Sequence, residues 1–438
     1  MITRSELKLN ADPKKVILRF FNLSEKRAKN VIDKVLTLQM NEVGNLLNAA
    51  YKEFQHRHRF FEETLNANYK KVEKYIPNPA LLTIDQKMLL GSYFSMEYSI
   101  EAAALFNPSI VPHPDQSNMN SDNLRFVLSL RATGEGHISS IEFREGYITK
   151  NGEVSLYEKS SFSTLPSKTT FSSKDLISKR ELGKYFSTDD ASNFINTNYS
   201  CQFSPNIPIS ERVLFPYSKN ESMGMEDVRF VKYSDLDREI YYGTYTAYNG
   251  KEIKTQLVET EDFINFQIST MHGNAVSDKG FALFPRKING KNVFTSRQDG
   301  ENLYLMNSDN LYYWQDKEII RTPQHSWEFI QMGNCGSPIE TEQGWLLITH
   351  AVGPFRKYVI SALLLDLENP AKVIGTLNKP LIEPDSAERE GYVPNVVYSC
   401  GSLIHKNNLI IPYAMSDSSC GFAKIEVSQL INKIMKAE

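Results

Sequence analysis

Ile240-Tyr241-Tyr242-Gly243-Thr244-Tyr245-Thr246-Ala247-Tyr248-Asn249-Gly250 is a run of aromatic and β-branched residues that ends on a turn dipeptide. Such side chains fit a pleated, half-buried surface, so 240–248 reads as a strand. Asn-Gly favours a two-residue hairpin because both positions accept positive φ. The same punctuation recurs at Asn151-Gly152, Asn289-Gly290 and Asp299-Gly300, among runs such as Phe126–Leu130, Trp345–His350 and Leu409–Tyr413. From about Phe106 onward the chain therefore predicts a succession of antiparallel hairpins. Asp262-Phe263-Ile264-Asn265-Phe266 also resembles Asp309-Asn310-Leu311-Tyr312-Tyr313-Trp314, with Phe263 and Leu311 48 positions apart. A period of roughly 40–50 residues with several strands per unit is what propeller blades show, and a β-sandwich is the competing reading.

Ahead of that region the texture is different. Between Ser24 and Tyr75, the apolar residues Ile32, Val35, Leu36, Val43, Leu46, Leu47, Ala50 and Phe54 recur at three- and four-residue steps, the period of a helix face. Ser24 followed by Glu25 suits a helix start, where a hydroxyl caps free N–H groups and a carboxylate meets the positive end of the dipole. Pro77 and Pro79 break the run, and Thr83 with Gln86 has capping-box spacing ahead of Met88, Leu89 and Leu90. Residues 1–100 thus read as an N-terminal α-helical extension of a β domain at 101–438. Ser428–Met435, striped by Leu430, Ile431 and Ile434, reads as a short C-terminal helix. The stripe from Ile32 to Phe54 is too apolar to be left in water, so it packs on the β domain or against another subunit, which admits a homo-oligomer.

Composition narrows the function classes. The 438 residues carry 49 Lys+Arg against 52 Asp+Glu, with no basic stripe, so a nucleic-acid partner is not expected. Hydrophobic residues at 41% supply a sizeable core and exclude global disorder. No apolar stretch reaches the ~18 residues of a membrane span. Met1–Lys15 is polar where a secretion signal would be apolar, and the expectation is a cytoplasmic protein with no membrane partner. Cys201, Cys335, Cys400 and Cys420 form no C-x-x-C pair and read as buried free thiols.

Two stretches carry candidate chemistry. In Gly224-Met225-Glu226-Asp227-Val228-Arg229-Phe230 adjacent carboxylates on a strand should face opposite sides, and Arg229 should share the face of Asp227 and lower its pKa. A structural ion pair is the bland alternative. In Arg131-Ala132-Thr133-Gly134-Glu135-Gly136-His137-Ile138-Ser139-Ser140, glycines flank Glu135, so backbone N–H groups and short hydroxyls can approach an anion or a sugar. Arg131 and Ser139 are the expected ligand contacts there, with Glu135 and His137 ranked below them. No G-K-[ST] follows, so this is not a P-loop. His56 and His58, interleaved with Arg57 and Arg59, read as a solvated basic helix face. No histidine has metal-ligand spacing, and no metal is expected.

On the residues just quoted at 224–230, together with Thr244–Tyr248, the chain resembles glycoside hydrolase family 130, the β-mannoside phosphorylases and related β-mannosidases. The stretches 282–291, 344–350, 362–367 and 391–397 extend the resemblance in chain order, from about Asn107 to Val427. Val228 stands where the family's G-x-E-D-P-R motif has proline, a difference in local backbone rigidity. The helical first hundred residues fall outside the resemblance.

The resemblance implies a five-bladed β-propeller and an inverting reaction on terminal β-linked mannose. Asp227 would be the general acid, relaying its proton through a sugar hydroxyl while inorganic phosphate, the co-substrate, attacks the anomeric carbon to give α-mannose 1-phosphate. It also implies Asn107, Arg131, Ser139, Arg229 and Asp417 as substrate contacts. Arg131, Lys279, Arg297 and His350 would hold phosphate, whose charge needs cationic partners. No other cofactor is expected. A β-mannosidase with water as nucleophile would need a second carboxylate as base, and Glu328 and Glu390 are the candidates. A non-catalytic sugar-binding propeller is the third reading.

Overall fold

Apolar runs without alternation, such as Trp345-Leu346-Leu347-Ile348, arise because both faces of their strands are buried. Trp345 and Leu347 pack to one side and Leu346 and Ile348 to the other. In this computed structural model the described residues are 2–117, 119–186, 194–235 and 238–436. The protein is mainly β, with strands joined in sheets of 11, 6, 5, 4 and 2 members.

From residue 104 the strands follow one another as five antiparallel groups. The first is built on Ala104–Pro112, Leu124–Thr133 and Ser139–Ile148, and the second on Gly224–Asp235, Arg238–Tyr248, Ile253–Thr260 and Asn265–Thr270. A parallel bridge from Gly224 to Ser139 joins these two groups. The third runs Lys279–Leu283, Asn292–Arg297, Leu303–Ser308 and Glu318–Arg321, and the fourth centres on Gln331–Asn334, Gly344–Val352 and Tyr358–Leu365. The fifth pairs Val397–Tyr398 with Asn408–Met415 and that strand with Ser419–Glu426. The Asn-Gly and Asp-Gly dipeptides lie between successive strands, and Asn289, Gly152, Gly250, Gly290 and Gly300 have positive φ. The 48-residue repeat falls at equivalent places, between third and fourth strands of the second and third groups.

Apolar clusters lie between neighbouring groups. Phe143 packs with Phe230 between the first and second, and Leu257 with Phe281 and Phe294 between the second and third. Phe284 meets Trp345 between the third and fourth, and Ile348 meets Ile411 between the fourth and fifth. Leu128 and Leu130 meet Ile410 and Phe422, so the fifth group also packs on the first. The C-terminal helix Val427–Met435 buries Leu430, Ile431 and Ile434 in the cluster between the fourth and fifth.

The N-terminal region contains helices Glu25–Leu36, Met40–Phe54, Phe61–Val72 and Ile84–Tyr93, whose apolar faces meet in their own cluster around Ile32, Val43, Leu65 and Leu90. Thr83 and Gln86 form the capping box. The first twenty residues are not helical. Thr3–Arg4 and Leu9–Asn10 pair with Ser419–Glu426, and Val16–Phe20 pairs with Ser95–Ser99. Strands of two residues carry no periodicity to read.

The His56–Arg59 stretch is not a solvated helix face. His58 is buried with its Nε2 2.8 Å from Glu97, Arg57 donates to the same carboxylate at 2.6 Å, and Arg59 donates to Glu211 of the β region at 2.8 Å. Burial holds the His58 imidazole below its ordinary pKa. The run ties the helices down. The four cysteines are buried and free. Among the described residues no helix is long and apolar enough to cross a membrane.

Candidate functional site

Strands deliver side chains to alternate faces, and a β-bulge breaks that rule by re-aiming one residue. Three bulges converge on a polar cavity of about 140 Å³. In the first group the register shifts between Phe106 and Ser109, and Asn107 has φ 49°. In the second it shifts between Glu226 and Arg229, and Asp227 has φ 56°. In the third it shifts between Lys279 and Ala282. Asn107, Asp227 and Lys279 all line the cavity. Asp417, at φ 51° in the turn between Asn408–Met415 and Ser419–Glu426, and Arg356, at φ 55°, join them. Left-handed backbone at non-glycine residues costs about 1–3 kcal/mol each, and its gathering at one cavity marks a site whose surroundings hold that strain.

All five strand groups contribute. The first gives Asn107 and Arg131, the second Asp227, the third Lys279 and Arg297. The fourth gives Gln331, Arg356 and Tyr358, and the fifth Tyr398 and Asp417. Four larger clefts, of about 330 to 780 Å³, lie elsewhere, and none of them is lined by Asp227 or the residues around it.

Arg131 organises the acidic side. Its Nη1 donates to Asp227 Oδ1 at 3.1 Å, its Nη2 to Glu226 Oε1 at 2.8 Å and its Nε to Ser139 Oγ at 2.9 Å. Glu226 and Asp227 therefore meet one guanidinium instead of facing opposite sides, because the bulge rotates Asp227 out of the strand's alternation. Asn107 Nδ2 donates to the same Oδ1 at 2.6 Å. Burial alone would raise the Asp227 pKa, but Arg131, Lys279 and Arg229 overcome it and hold the carboxyl well below the usual range. Asp417 has the opposite balance. Burial and the neighbouring charge of Asp227 push it up to about 6.

Several residues expected at the ligand stand behind it instead. Ser139 is buried and supports Arg131. Arg229 donates to the Asp227 carbonyl at 2.9 Å, to Asn334 Oδ1 at 3.1 Å and to Tyr398 OH at 2.6 Å, beneath the cavity. His350 has Nδ1 3.0 Å from the Asn334 carbonyl and Nε2 3.1 Å from Gln331 Nε2. These partners suit a neutral imidazole that donates from Nδ1 and accepts at Nε2, and burial with Arg297 and Arg229 nearby drives its pKa well down. His350 is buried outside the cavity lining and contacts Gln331, which lines it. Arg297 lines the cavity, and its buried Nε has no hydrogen-bond partner among the described residues.

The two candidate bases are elsewhere. Glu328 is buried against Arg321 and accepts the Gln324 and His325 amides at 2.7 and 3.0 Å. Glu390 is exposed and outside the cavity. Glu135 and His137 occupy a short turn beyond the ends of the first group's strands. Gln331, Arg356, Tyr358 and Tyr398 escaped the sequence reading; only Tyr398, just after the 391–397 stretch, lies beside a motif that could have pointed to it. Among the described residues no three His, Cys, Asp or Glu side chains gather as metal ligands would.

Residues 179–436 match the family described as beta-1,4-mannooligosaccharide phosphorylase. The 1,2-beta-oligomannan phosphorylase of Thermoanaerobacter sp. (strain X514) is 34% identical over 229 residues, covering 51% of this chain and 75% of that one. The beta-1,2-mannobiose phosphorylase of the same organism is 35% identical over 214 residues, covering 47% and 68%. Among solved structures, the beta-1,2-mannobiose phosphorylase from Listeria innocua in complex with beta-1,2-mannobiose superposes with a TM-score of 0.50 at 20% identity, covering 77% of this chain and 93% of that one. That structural likeness is one of fold.

Proposed function

The chain belongs to glycoside hydrolase family 130, and from that premise we propose that it is an inverting phosphorylase cleaving a terminal β-linked mannose with inorganic phosphate to give α-mannose 1-phosphate. The observation that carries this is the cavity's charge. Arg131, Lys279, Arg297 and Arg356 line it, against only two carboxylates, Asp227 and Asp417. Hydrolysis needs an acid and a base flanking a water, whereas phosphorolysis needs one acid and a cationic seat for the anion.

Asp227 is the acid in this reading. In the ligand-free site Arg131 and Lys279 keep it ionised. A phosphate dianion seated on the same cations offsets their pull, so the Asp227 pKa rises as the nucleophile binds and a proton is taken up. The C1–O bond to the departing sugar then breaks as a phosphate oxygen bonds to C1 from the other face. The departing oxygen takes the proton, relayed from Asp227 through a sugar hydroxyl, and the proton given up by hydrogen phosphate restores the balance. Asp417 accepts hydroxyls of the bound mannose, while Asn107 and Arg131 hold Asp227 in place.

The reading includes a five-bladed β-propeller at 101–438 carrying the helical extension of 1–100. Support comes from five successive strand groups, from apolar clusters between each neighbouring pair including the fifth and first, and from a cavity to which all five contribute. A cytoplasmic location fits four free thiols, which persist in a reducing compartment. The Ile32–Phe54 stripe is covered by the other helices of its own region, not by the β region or a second subunit, so it does not by itself call for a homo-oligomer. The test of function is incubation with a panel of β-mannobioses with and without phosphate. Phosphate-dependent mannose 1-phosphate is expected; free mannose at an unchanged rate without phosphate would transfer the protein to the β-mannosidases.

A further inference from the structure

On the phosphorylase reading the cavity, about 140 Å³, is taken up by the mannose and the phosphate, so the saccharide beyond the scissile bond lies outside it. Tyr392 and His137 are two aromatic side chains outside the cavity lining, on the segments that flank its residues Asp417 and Arg131. Tyr392 is 60% exposed, yet its ring is not loose: the hydroxyl is 3.4 Å from His137 Nδ1, and the ring centroids are 5.8 Å apart at 35°. Its neighbours pin it to the turn that carries Asp417. Val393 N donates to the Ser416 carbonyl at 3.0 Å, and Gly391 packs so closely that a Cβ there would meet Ser416 O at 2.6 Å and Ser418 Oγ at 2.8 Å. His137, at φ 61°, lies in the turn between the strands that supply Arg131 and Ser139. Tyr98 of the N-terminal region supports that turn, donating to the Glu135 carbonyl at 2.8 Å. The pair therefore links the loops that present Asp417 and Arg131.

We propose that Tyr392 and His137 form the platform for the acceptor sugar, the pyranose ring that departs in phosphorolysis and attacks in synthesis. This rests on the phosphorylase reading. A pyranose presents an apolar C–H face beside its hydroxyls, and an aromatic ring offers a matching flat face with a polar tip. A ring already ordered by a partner loses less freedom when it binds. The platform recognises a ring face and sits outside the cavity, so it sets acceptor choice without touching the reacting atoms.

The test runs in the synthetic direction, with α-mannose 1-phosphate as donor and mannose as acceptor. Tyr392→Ala should raise the acceptor KM by on the order of tenfold and leave the KM for mannose 1-phosphate unchanged. Tyr392→Phe should keep the acceptor KM within about twofold of wild type, since the ring remains. His137→Ala should raise it by an intermediate factor. An unchanged acceptor KM in Tyr392→Ala, or a loss confined to kcat, overturns the platform. Should wild-type protein form no mannose 1-phosphate from any β-mannobiose, the phosphorylase reading falls instead. Calorimetric titration of β-mannobiose into wild type and Tyr392→Ala then decides the platform alone, and equal Kd values reject it.

Discussion

Asp227 is held by three kinds of force at once: burial against its charge, cations in favour of it, and a hydrogen bond from Asn107. Asp227→Asn keeps the shape and removes the transferable proton, so kcat should fall by roughly two to four orders of magnitude with the circular dichroism spectrum unchanged. A variant with half the wild-type rate would remove Asp227 from the chemistry. Asp417 makes a different prediction. Its folded pKa, pushed up to about 6, lies above the ordinary carboxyl value, so the free protein favours its neutral form below that pH and loses that preference as pH rises through it. A carboxylate that accepts sugar hydroxyls must be charged, so kcat/KM for the mannoside should climb with pH through about 6, the region Asp417 titrates in. In the phosphate-free protein Asp227 is held ionised throughout that range, so at low phosphate it does not generate this limb. Asp417→Asn should flatten the rise, which a pH profile of both proteins measures.

At the scale of elements, the site is a set of interrupted strands. The strands themselves were legible from aromatic runs and Asn-Gly turns, because those follow from local backbone preference. Asp227 stood out beside Glu226 and Arg229, but its role, and Asn107 and Lys279 altogether, could be named only through family likeness. Their common cause, bulges that turn one residue into the cavity, leaves no periodic mark. The same blindness explains Ser139, Arg229 and His350, whose polar chemistry looked ligand-directed but is directed at Arg131, Tyr398 and Gln331. The turn at Asp417 yields a prediction of its own. Gly391→Ala places a methyl 2.6 Å from the Ser416 carbonyl, and backbone must shift to admit it. We expect kcat/KM to fall on the order of tenfold while the thermal unfolding midpoint changes by only a few degrees. Equal activity would mean that the Asp417 turn tolerates displacement.

Over the whole molecule, the helical region is joined to the β region by named polar contacts as well as by packing. Arg59 meets Glu211, Tyr98 meets the 135–137 turn, and Lys15 Nζ, itself buried, donates to the Phe162 carbonyl at 2.7 Å. The sequence announced the helices but hid this attachment, since the charged residues involved look surface-bound when read singly. At the opposite edge Arg4 Nε donates to Glu388 at 2.9 Å, and Glu388 also accepts from Tyr413 at 2.5 Å. Arg4→Ala leaves a buried carboxylate short of its cation and should cost about 1 kcal/mol, discounted because Arg4 is partly exposed. A lower urea midpoint with unchanged slope would register it; an identical midpoint would show that the contact is idle.

The pairing of Thr3–Arg4 and Leu9–Asn10 with Ser419–Glu426 also sets a timetable. A ribosome makes the first of these segments long before their partner strand exists, and at about 5–20 residues per second the wait is some tens of seconds. Throughout it, the apolar seam between the first strand group and the fifth has only one wall. The nascent chain must carry that open seam until Ser419–Glu426 emerges, and stalling before that point would leave a sticky, half-covered surface for chaperones and proteases to find.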